Sequence, residues 1–427
     1  MEKAGKFLKA HGLSASDTDA DKFIEVFLSD MDKGLRGEPD SLRMIPTYIE
    51  TDNEFLTDTP VIAIDAGGTN FRCSLVSFTK TGRLEMEDIR NFGMPGLDRE
   101  VSKKEFFDVM AGYISPFASK SDRIGFCFSY PTEIFPDKDG RLLQFCKEVQ
   151  APEVIGQTIG KSLLEALGTP EKKIVLLNDT VATLLAGKSA AFGRPYDSYI
   201  GFILGTGTNM CYIESNRNII KNSELDPVGS MIINIESGNF GKAPRTDLDI
   251  AFDRTTMNPD NYTFEKMFSG GYFGGLCLFI LKKAAEEGVF SEQAADSLMK
   301  ISELTSEQAG SFVEDSGKNG NILYECFTTR EDILNAVSII DNMINRSARL
   351  VAASLAAVVL KTGKGSDPGK PILITIEGTT FYKLFRLKER FEKYFKALLD
   401  DDRKRYVEFT EVKQSSLIGA ALAGLTD

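Results

Sequence analysis

Asp65-Ala66-Gly67-Gly68-Thr69-Asn70 interrupts the apolar run VIAIDAGGTNFRCSLVSF, Val61 to Phe78, and Arg72 follows two residues later. Glycines reach the positive φ that lets backbone N–H groups approach an anion, and successive amides of this kind form an anion-binding hollow. Thr69 and Asn70 add side-chain hydrogen bonds and Arg72 adds a cation. Asp65, at the strand end, is placed to orient a magnesium ion through water, because magnesium keeps much of its hydration shell. The implied chemistry is a phosphate grip with a metal beside it; the plain alternative is a hairpin turn. A second turn, Gly205-Thr206-Gly207-Thr208-Asn209 in GFILGTGTNMCYIE, repeats the amide pattern without the acid. Alone it is a weak signal, but paired with the first it reads as a second grip. It opens no helix and lacks the third glycine of a dinucleotide motif, so that reading is poor.

Asn178-Asp179-Thr180 follows the short apolar run IVLL. A carboxylate at the end of a buried strand can take the proton from a hydroxyl as that oxygen attacks phosphorus. The same three residues also suit the start of a helix, where their side chains cap free N–H groups, and Asn178 or Thr180 could carry that cap while Asp179 acts as base. The only histidine is His11, in the polar N-terminal arm, which argues against a Ser-His-Asp triad or a histidine-rich zinc site. Ser129, Lys147, Asn234, Glu236 and Glu265 are polar groups set in apolar stretches, a mixture that suits a sugar. Each taken singly is more often structural, and Glu265 equally fits an acid at a helix N-terminus.

The elements that must position these groups are strands in pairs around tight turns, alternating with helices, which indicates α/β architecture. AIDAGGTNFRCSL and GFILGTGTNMCYI echo one another as strand, glycine-threonine turn and strand. Two copies of one grip facing a shared cleft imply a duplicated two-lobed fold. Residues 1–54 read as a helical, polar arm, with Phe23, Val26, Phe27 and Met31 spaced to dock on the body. The run LVAASLAAVVL, Leu350 to Leu360, falls short of the ~20 residues a bilayer span needs and reads as a buried helix.

Composition narrows the partners. At 427 residues the chain has room for two or three domains. Its formal net charge of −12 disfavours nucleic acid, which needs a concentrated basic face. The N-terminal MEKAGKFLKAHG lacks the apolar core of a secretory signal. Six scattered cysteines with no CxxC spacing read as buried free thiols in a reducing cytosol. The expectation is a cytoplasmic protein with small-molecule substrates, no nucleic acid and no membrane; a homodimer is left open.

These pieces, in this order from about Phe23 to Leu425, resemble the hexokinase family. FLSDMDKGLRGEPDSLRMIPTYIE is similar to its N-terminal arm and AIDAGGTNFR to its first phosphate motif. GFCFSYP with RLLQFCK resembles the sugar-binding segment, LLNDTVATLLAG the catalytic segment and GFILGTGTNMCYIE the second phosphate motif. INIESGNFGK and FEKMFSGGYFG resemble the stretches that bring glutamates to the sugar. ITIEGTTFYK resembles the adenosine motif, and Ser416 with IGAALAG the closing C-terminal segment. The resemblance implies a two-lobed, ribonuclease H-like (actin-like ATPase) fold with a cleft between lobes. It divides the chain into an arm (1–54), a small lobe (55–187, joined by the C-terminal helix 412–427) and a large lobe (188–411).

The resemblance further implies ATP and magnesium as cofactors and phosphorylation of a hexose, D-glucose first, at its 6-hydroxyl, as glycolysis begins. Asp179 is then the general base. Ser129, Lys147, Asn178, Asn234, Glu236 and Glu265 contact the sugar. Gly67, Gly68, Thr69, Asn70 and Arg72 face the ATP phosphates, as do Gly205, Thr206, Gly207, Thr208 and Asn209 from the other lobe. Gly378, Thr379 and Ser416 lie by the adenosine, and Asp65 lies near magnesium. Cys146, Thr132, Ser237 and Gly275 depart from the family pattern near the pocket and bear on hexose choice. The alternatives are a kinase for mannose, fructose or an N-acetylhexosamine, a catalytically weak sugar sensor on the same fold, and an actin- or chaperone-like ATPase.

Overall fold

The computed structural model describes residues 2–50, 55–145, 149–191, 193–315, 320–400 and 403–426. The N-terminal arm begins with two helices, Glu2–Ala10 and Ala20–Arg36. In the second, Phe23, Ile24, Phe27, Met31 and Leu35 bury one helical stripe, Asp19 caps the start by accepting from the Lys22 N–H, and Gly37 ends it at φ 75. The arm is not helical to its end. Residues Ile45–Glu50 form a strand, β1, pairing only with one neighbour at a sheet edge. Pro46 explains this: it cannot continue a helix, and without an N–H it is tolerated on an edge strand.

The chain then builds β2 (Val61–Gly67), β3 (Asn70–Phe78), β4 (Leu84–Gly93), β5 (Arg123–Phe128), the short hairpin β6 (Thr132–Ile134) and β7 (Gly140–Leu142), and β8 (Lys173–Leu177). β9 (Ser198–Leu204), β10 (Thr208–Ser215), β11 (Ser230–Asn234), β12 (Ile372–Glu377) and β13 (Val407–Thr410) follow. One sheet runs β4-β3-β2-β5-β8 and the other β1-β11-β10-β9-β12-β13. In the first sheet β4–β3 and β3–β2 are antiparallel and β2–β5 and β5–β8 parallel; in the second β11–β10 and β10–β9 are antiparallel and β9–β12 and β12–β13 parallel, with β1 added antiparallel at the β11 edge. The two sheets are therefore copies of one topology, and the echoing sequences occupy equivalent hairpins, β2–β3 and β9–β10.

Between the sheets lie the helices Asp179–Ala190 and Ser415–Leu425, whose Val181, Leu184, Leu417 and Ala420 share a core with Val61 of β2, Cys211 of β10 and Ile232 of β11. The fit depends on glycine. A Cβ on Gly125 of β5 would overlap the Ala420 carbonyl, and one on Gly419 would overlap the Ala182 carbonyl. The small lobe's outer face packs Phe106, Met110, Phe126 and Leu163, while the large lobe's core takes in the arm through Phe23, Phe27 and Met31.

LVAASLAAVVL is the end of a 33-residue helix, Arg330–Thr362. By length and composition this helix could cross a membrane, contrary to the short span expected, but most of its apolar stretch is buried in the large lobe. Arg346, at its middle, makes a paired contact with Asp249 (2.9 and 2.5 Å), and both side chains are about fully buried, 3% and 2% exposed. Every described cysteine is free and buried. His11 sits between Asp247 (3.0 Å) and Glu287 (2.9 Å), joining the arm to the large lobe. Burial opposes its charge, but the two carboxylates outweigh it and raise its pKa.

Candidate active site

The first turn is a two-residue hairpin. β2 and β3 pair as far as Gly67 opposite Asn70, and Gly68 takes φ 57 at the position where a hairpin of this length favours glycine. Gly67 admits Ser129 at the end of β5, since a Cβ there would lie 2.7 Å from the serine Cβ. The turn's carbonyls are tied back: the Tyr130 hydroxyl donates to Gly68 O (2.9 Å) and the Met94 N–H to Thr69 O (3.0 Å). Gly68, Thr69 and Asn70 are left exposed, with the Asn70 amide on the Thr69 hydroxyl at 3.2 Å. Arg72 reaches back to Asp65, its Nε 2.9 Å from Oδ2 and an outer nitrogen on the same oxygen. Burial raises the Asp65 carboxyl above its usual range although Arg72 opposes it.

The second turn is locked from behind. The Gly270 and Gly271 N–H groups donate to Gly205 O (2.8 Å) and Thr206 O (2.9 Å), and the Thr380 hydroxyl donates to Gly205 O at 2.8 Å. Thr206 is exposed. Gly378 has φ 117 and lies so close to the Leu204 carbonyl that a Cβ would overlap it, which seats the end of β12 on this turn. Thr379 is exposed beside it, and Ser416 is buried in the first turn of the C-terminal helix.

Thr208 and Asn209 do not face outward as the sequence suggested. The Thr208 N–H donates to Glu265 Oε2 (2.8 Å) and its hydroxyl to Ile203 O (2.9 Å). The Asn209 amide nitrogen donates to Asn234 Oδ1 (2.8 Å) and lies 3.4 Å from both Asn178 Oδ1 and Glu236 Oε1. Its oxygen accepts from the Met210 and Ser237 N–H groups. Register explains the difference from Asn70. Asn70 stands opposite Gly93, which offers no side chain, whereas β11 ends at Asn234 opposite Cys211 and the chain beyond it brings Glu236 alongside Asn209. At this turn Thr206 is thus exposed and Gly205 and Gly207 are half-buried, while Thr208 and Asn209 are engaged with the neighbouring side chains.

Asn178, Asn234, Glu236 and Glu265 are thereby gathered by Asn209 and Thr208. The Asn234 amide donates to Glu236 Oε1 at 2.9 Å, and Glu236 holds φ 59, a left-handed conformation uncommon for this residue type and found where neighbours enforce it. Burial raises the Glu236 carboxyl, opposed by Asn234 and by the charge of Arg43. Glu265 opens a single 3-10 turn, Glu265–Met267, and is aimed at the second hairpin. A cavity is lined by Asn178, Asn234 and Glu236 together with Arg43 and Thr47 of the arm, Tyr130, Thr132 and Tyr262. Of the last five, Thr132 is the one that the sequence places near the pocket; Arg43 and Thr47, just before and within an edge strand, carry no local signal. Lys147 and Cys146 lie outside the described residues. Thr132 donates its hydroxyl to Tyr130 O (2.8 Å), Ser237 is fully buried with its hydroxyl unpartnered among the described residues, and Gly275 faces the Phe252 ring.

Asp179 is the first residue of its helix. Asn178 caps it by accepting from the Thr180 N–H (2.9 Å), and Asp179 Oδ1 accepts from the same N–H (2.8 Å). Capping and availability coexist, because Asp179 Oδ2 has no hydrogen-bond partner among the described residues. Burial, then the charge of Glu377, outweighs the Thr180 N–H and pushes the Asp179 pKa up to about 7, with Glu236 and Asp65 adding to it. A carboxylate poised there can accept a proton at neutral pH. Asp179 thus stands within electrostatic reach of Asp65 under the first turn, Glu236 in the polar cluster, and Glu377 beside the second turn.

Asp65 is the acid that precedes the first turn, and no group of three or more His, Cys, Asp or Glu able to hold a metal occurs among the described residues. That donor set fits magnesium carried in by phosphates and water rather than a protein cage.

The family description Hexokinase matches the chain twice, over residues 6–189 and 199–426. The chain is 31% identical to human Hexokinase-3 over 424 residues, covering 92% of this chain and 44% of that longer protein. It is 30% identical to Hexokinase-1 of Schizosaccharomyces pombe over 93% of this chain and 85% of the relative. Its fold matches that of a Schistosoma mansoni hexokinase solved with glucose at a TM-score of 0.79, 22% identity and 99% coverage of each chain.

Proposed function

This chain belongs to the hexokinase family, and from that premise we propose that it transfers the γ-phosphoryl group of ATP to the 6-hydroxyl of a hexose, D-glucose first among them. One observation carries the reading: Asp179, with its pKa at about 7 and one oxygen unpartnered among the described residues, feels the charges of Glu236 in the amide–carboxylate cluster, Asp65 before the first turn and Glu377 beside the second. Asn178, Asn234, Glu236 and Glu265 hold the sugar hydroxyls, with Ser129 and Lys147 from the small lobe. The exposed turn residues Gly68, Thr69 and Asn70 and the Gly205–Gly207 turn hold the phosphates through their backbone. Arg72 supplies positive charge near the transferred group, and Gly378, Thr379 and Ser416 sit at the nucleoside end. Phosphoryl transfer asks mainly for positioning and charge stabilisation.

Asp179 Oδ2 takes the 6-hydroxyl proton as that oxygen bonds to the γ-phosphorus. The bond from phosphorus to the β-bridging oxygen breaks, and ADP leaves. Magnesium, when bound, would neutralise charge on the phosphates, and Asp65 would hold it through water. Closure of the lobes keeps water, a rival nucleophile, out. We further assign the protein to the cytoplasm and to the first step of glycolysis, acting without nucleic acid or membrane; the charge of −12 and the free buried thiols support this setting.

Purified protein with Mg–ATP and a panel of glucose, mannose, fructose and N-acetylglucosamine tests the reading. ADP release dependent on glucose, with the highest kcat/KM in the panel, is expected. ADP release indifferent to sugar, or sugar binding without turnover, overturns it. Within this reading Asn209→Ala removes the donor that gathers Asn178, Asn234 and Glu236. Its expected effect is a rise in sugar KM of about 10- to 100-fold, the worth of one or two hydrogen bonds to a charged or buried group, with little change in the KM for ATP. Initial-rate kinetics in both substrates check it.

A further inference from the structure

Glu377 ends the otherwise apolar strand β12, ILITIE, immediately before Gly378. Its Oε2 accepts a hydrogen bond from the Ser415 hydroxyl on the C-terminal helix. The Thr183 hydroxyl, one turn into the Asp179 helix, stands 2.9 Å from the Asp179 carbonyl and 3.2 Å from that same Oε2. Thr183 and Ser415 hydroxyls are 3.4 Å apart and buried. One carboxylate therefore joins three elements: the strand that seats the second turn, the helix that starts with the base, and the C-terminal helix wedged between the sheets. A solvated surface acid needs no such enclosure, and an acid needed only for structure would not be expected to face another carboxylate.

We propose that Glu377 is a positioning residue for Asp179: it fixes the first turn of the base helix through Thr183, anchors it to the C-terminal helix through Ser415, and sets its negative charge beside the base from the nucleotide side of the cleft. The inference rests on Asp179 being the general base of a kinase. Burial raises the Glu377 carboxyl, while Thr183 acts the other way. The other ionisable groups facing Asp179 are Glu236, beyond β11, and Asp65 of β2, the latter paired with Arg72 of β3; the Cys127 and Cys211 thiols face it from β5 and β10. Of the charges facing the base, Glu377 has the largest effect on it.

The test compares pH profiles of kcat/KM for wild type, Glu377→Gln and Glu377→Asp, with sugar affinity measured by calorimetry. Sugar-dependent turnover by the wild type comes first, since its absence sinks the kinase reading itself and not this inference. Glu377→Gln removes the charge at constant shape. The acid limb is expected to move down by about half a unit to one unit, the scale of a nearby like charge, with sugar affinity within about twofold of wild type. Glu377→Asp keeps the charge and shortens the reach to Thr183 and Ser415, so the limb should stay near its wild-type position while kcat falls several-fold. An acid limb in Glu377→Gln that coincides with wild type overturns the proposal. Should that variant not fold, Ser415→Ala decides: a lowered kcat with unchanged sugar KM supports the assignment, and an unchanged kcat overturns it.

Discussion

Asp179→Asn is expected to fold, to bind sugar with near-normal affinity and to lose about 10²- to 10⁴-fold in kcat, the usual worth of a positioned general base. The amide keeps the shape and can still accept from the Thr180 N–H, which Asn178 also caps, so the helix start is preserved. What disappears is the site that receives the 6-hydroxyl proton. Single-turnover kinetics with sugar calorimetry separate the two; a kcat close to wild type would remove Asp179 from the mechanism. In the wild type, kcat/KM should fall as pH drops through about 7, because only the ionised carboxyl works as base.

The same raised pKa has a stability consequence of definite sign. Asp179 holds its proton more tightly folded than unfolded, so between the unfolded carboxyl pKa of about 4 and the folded value of about 7 stability falls as pH rises. Asp179→Asn removes that burden. Thermal melting at pH 8 should therefore show the variant more stable than wild type, while at pH 4 the two should converge. An active-site acid that weakens the fold at working pH is what a site selected for chemistry rather than stability would show.

Arg346→Met carries the largest expected effect on the fold. It leaves the Asp249 carboxylate, 2% exposed, without its cation. Breaking one side of a buried pair costs about 3–5 kcal/mol because the remaining charge is uncompensated, a large part of the ~5–15 kcal/mol typical of a folded domain. Asp249 also closes a capping box with Thr246, so the helix Asp247–Asp253 loosens with it. Urea or thermal unfolding of the large lobe should show a clearly lower midpoint. Arg346→Met combined with Asp249→Leu should recover part of the loss, as an apolar pair often substitutes for a buried ionic one, while the cap that Asp249 gives Thr246 is lost.

Sequence determined what local chemistry can specify. The glycine turns, the Asn178-Asp179-Thr180 cap, the acid ending a buried strand and the duplicated hairpin all depend on residues within a few positions of one another, and they were legible for that reason. Even so, ILITIE carried the same sign as VIAID, an acid at the end of an apolar strand, and Glu377 was passed over. Pro46 marked a strand where the polar arm suggested helix.

Only the tertiary structure decided which side chains meet across the sheet and between lobes. Asn209 looked like the twin of Asn70, yet the register of β10 on β11 turns it onto Asn234 and Glu236, while Asn70 faces a glycine. Ser415 rather than its neighbour Ser416 reaches Glu377, and Arg43 and Thr47 line the pocket from an edge strand remote in sequence. These outcomes depend on strand register and on helices brought together across long stretches of chain. A one-residue change of register would send each side chain to the opposite face, and no spacing within a single segment records it.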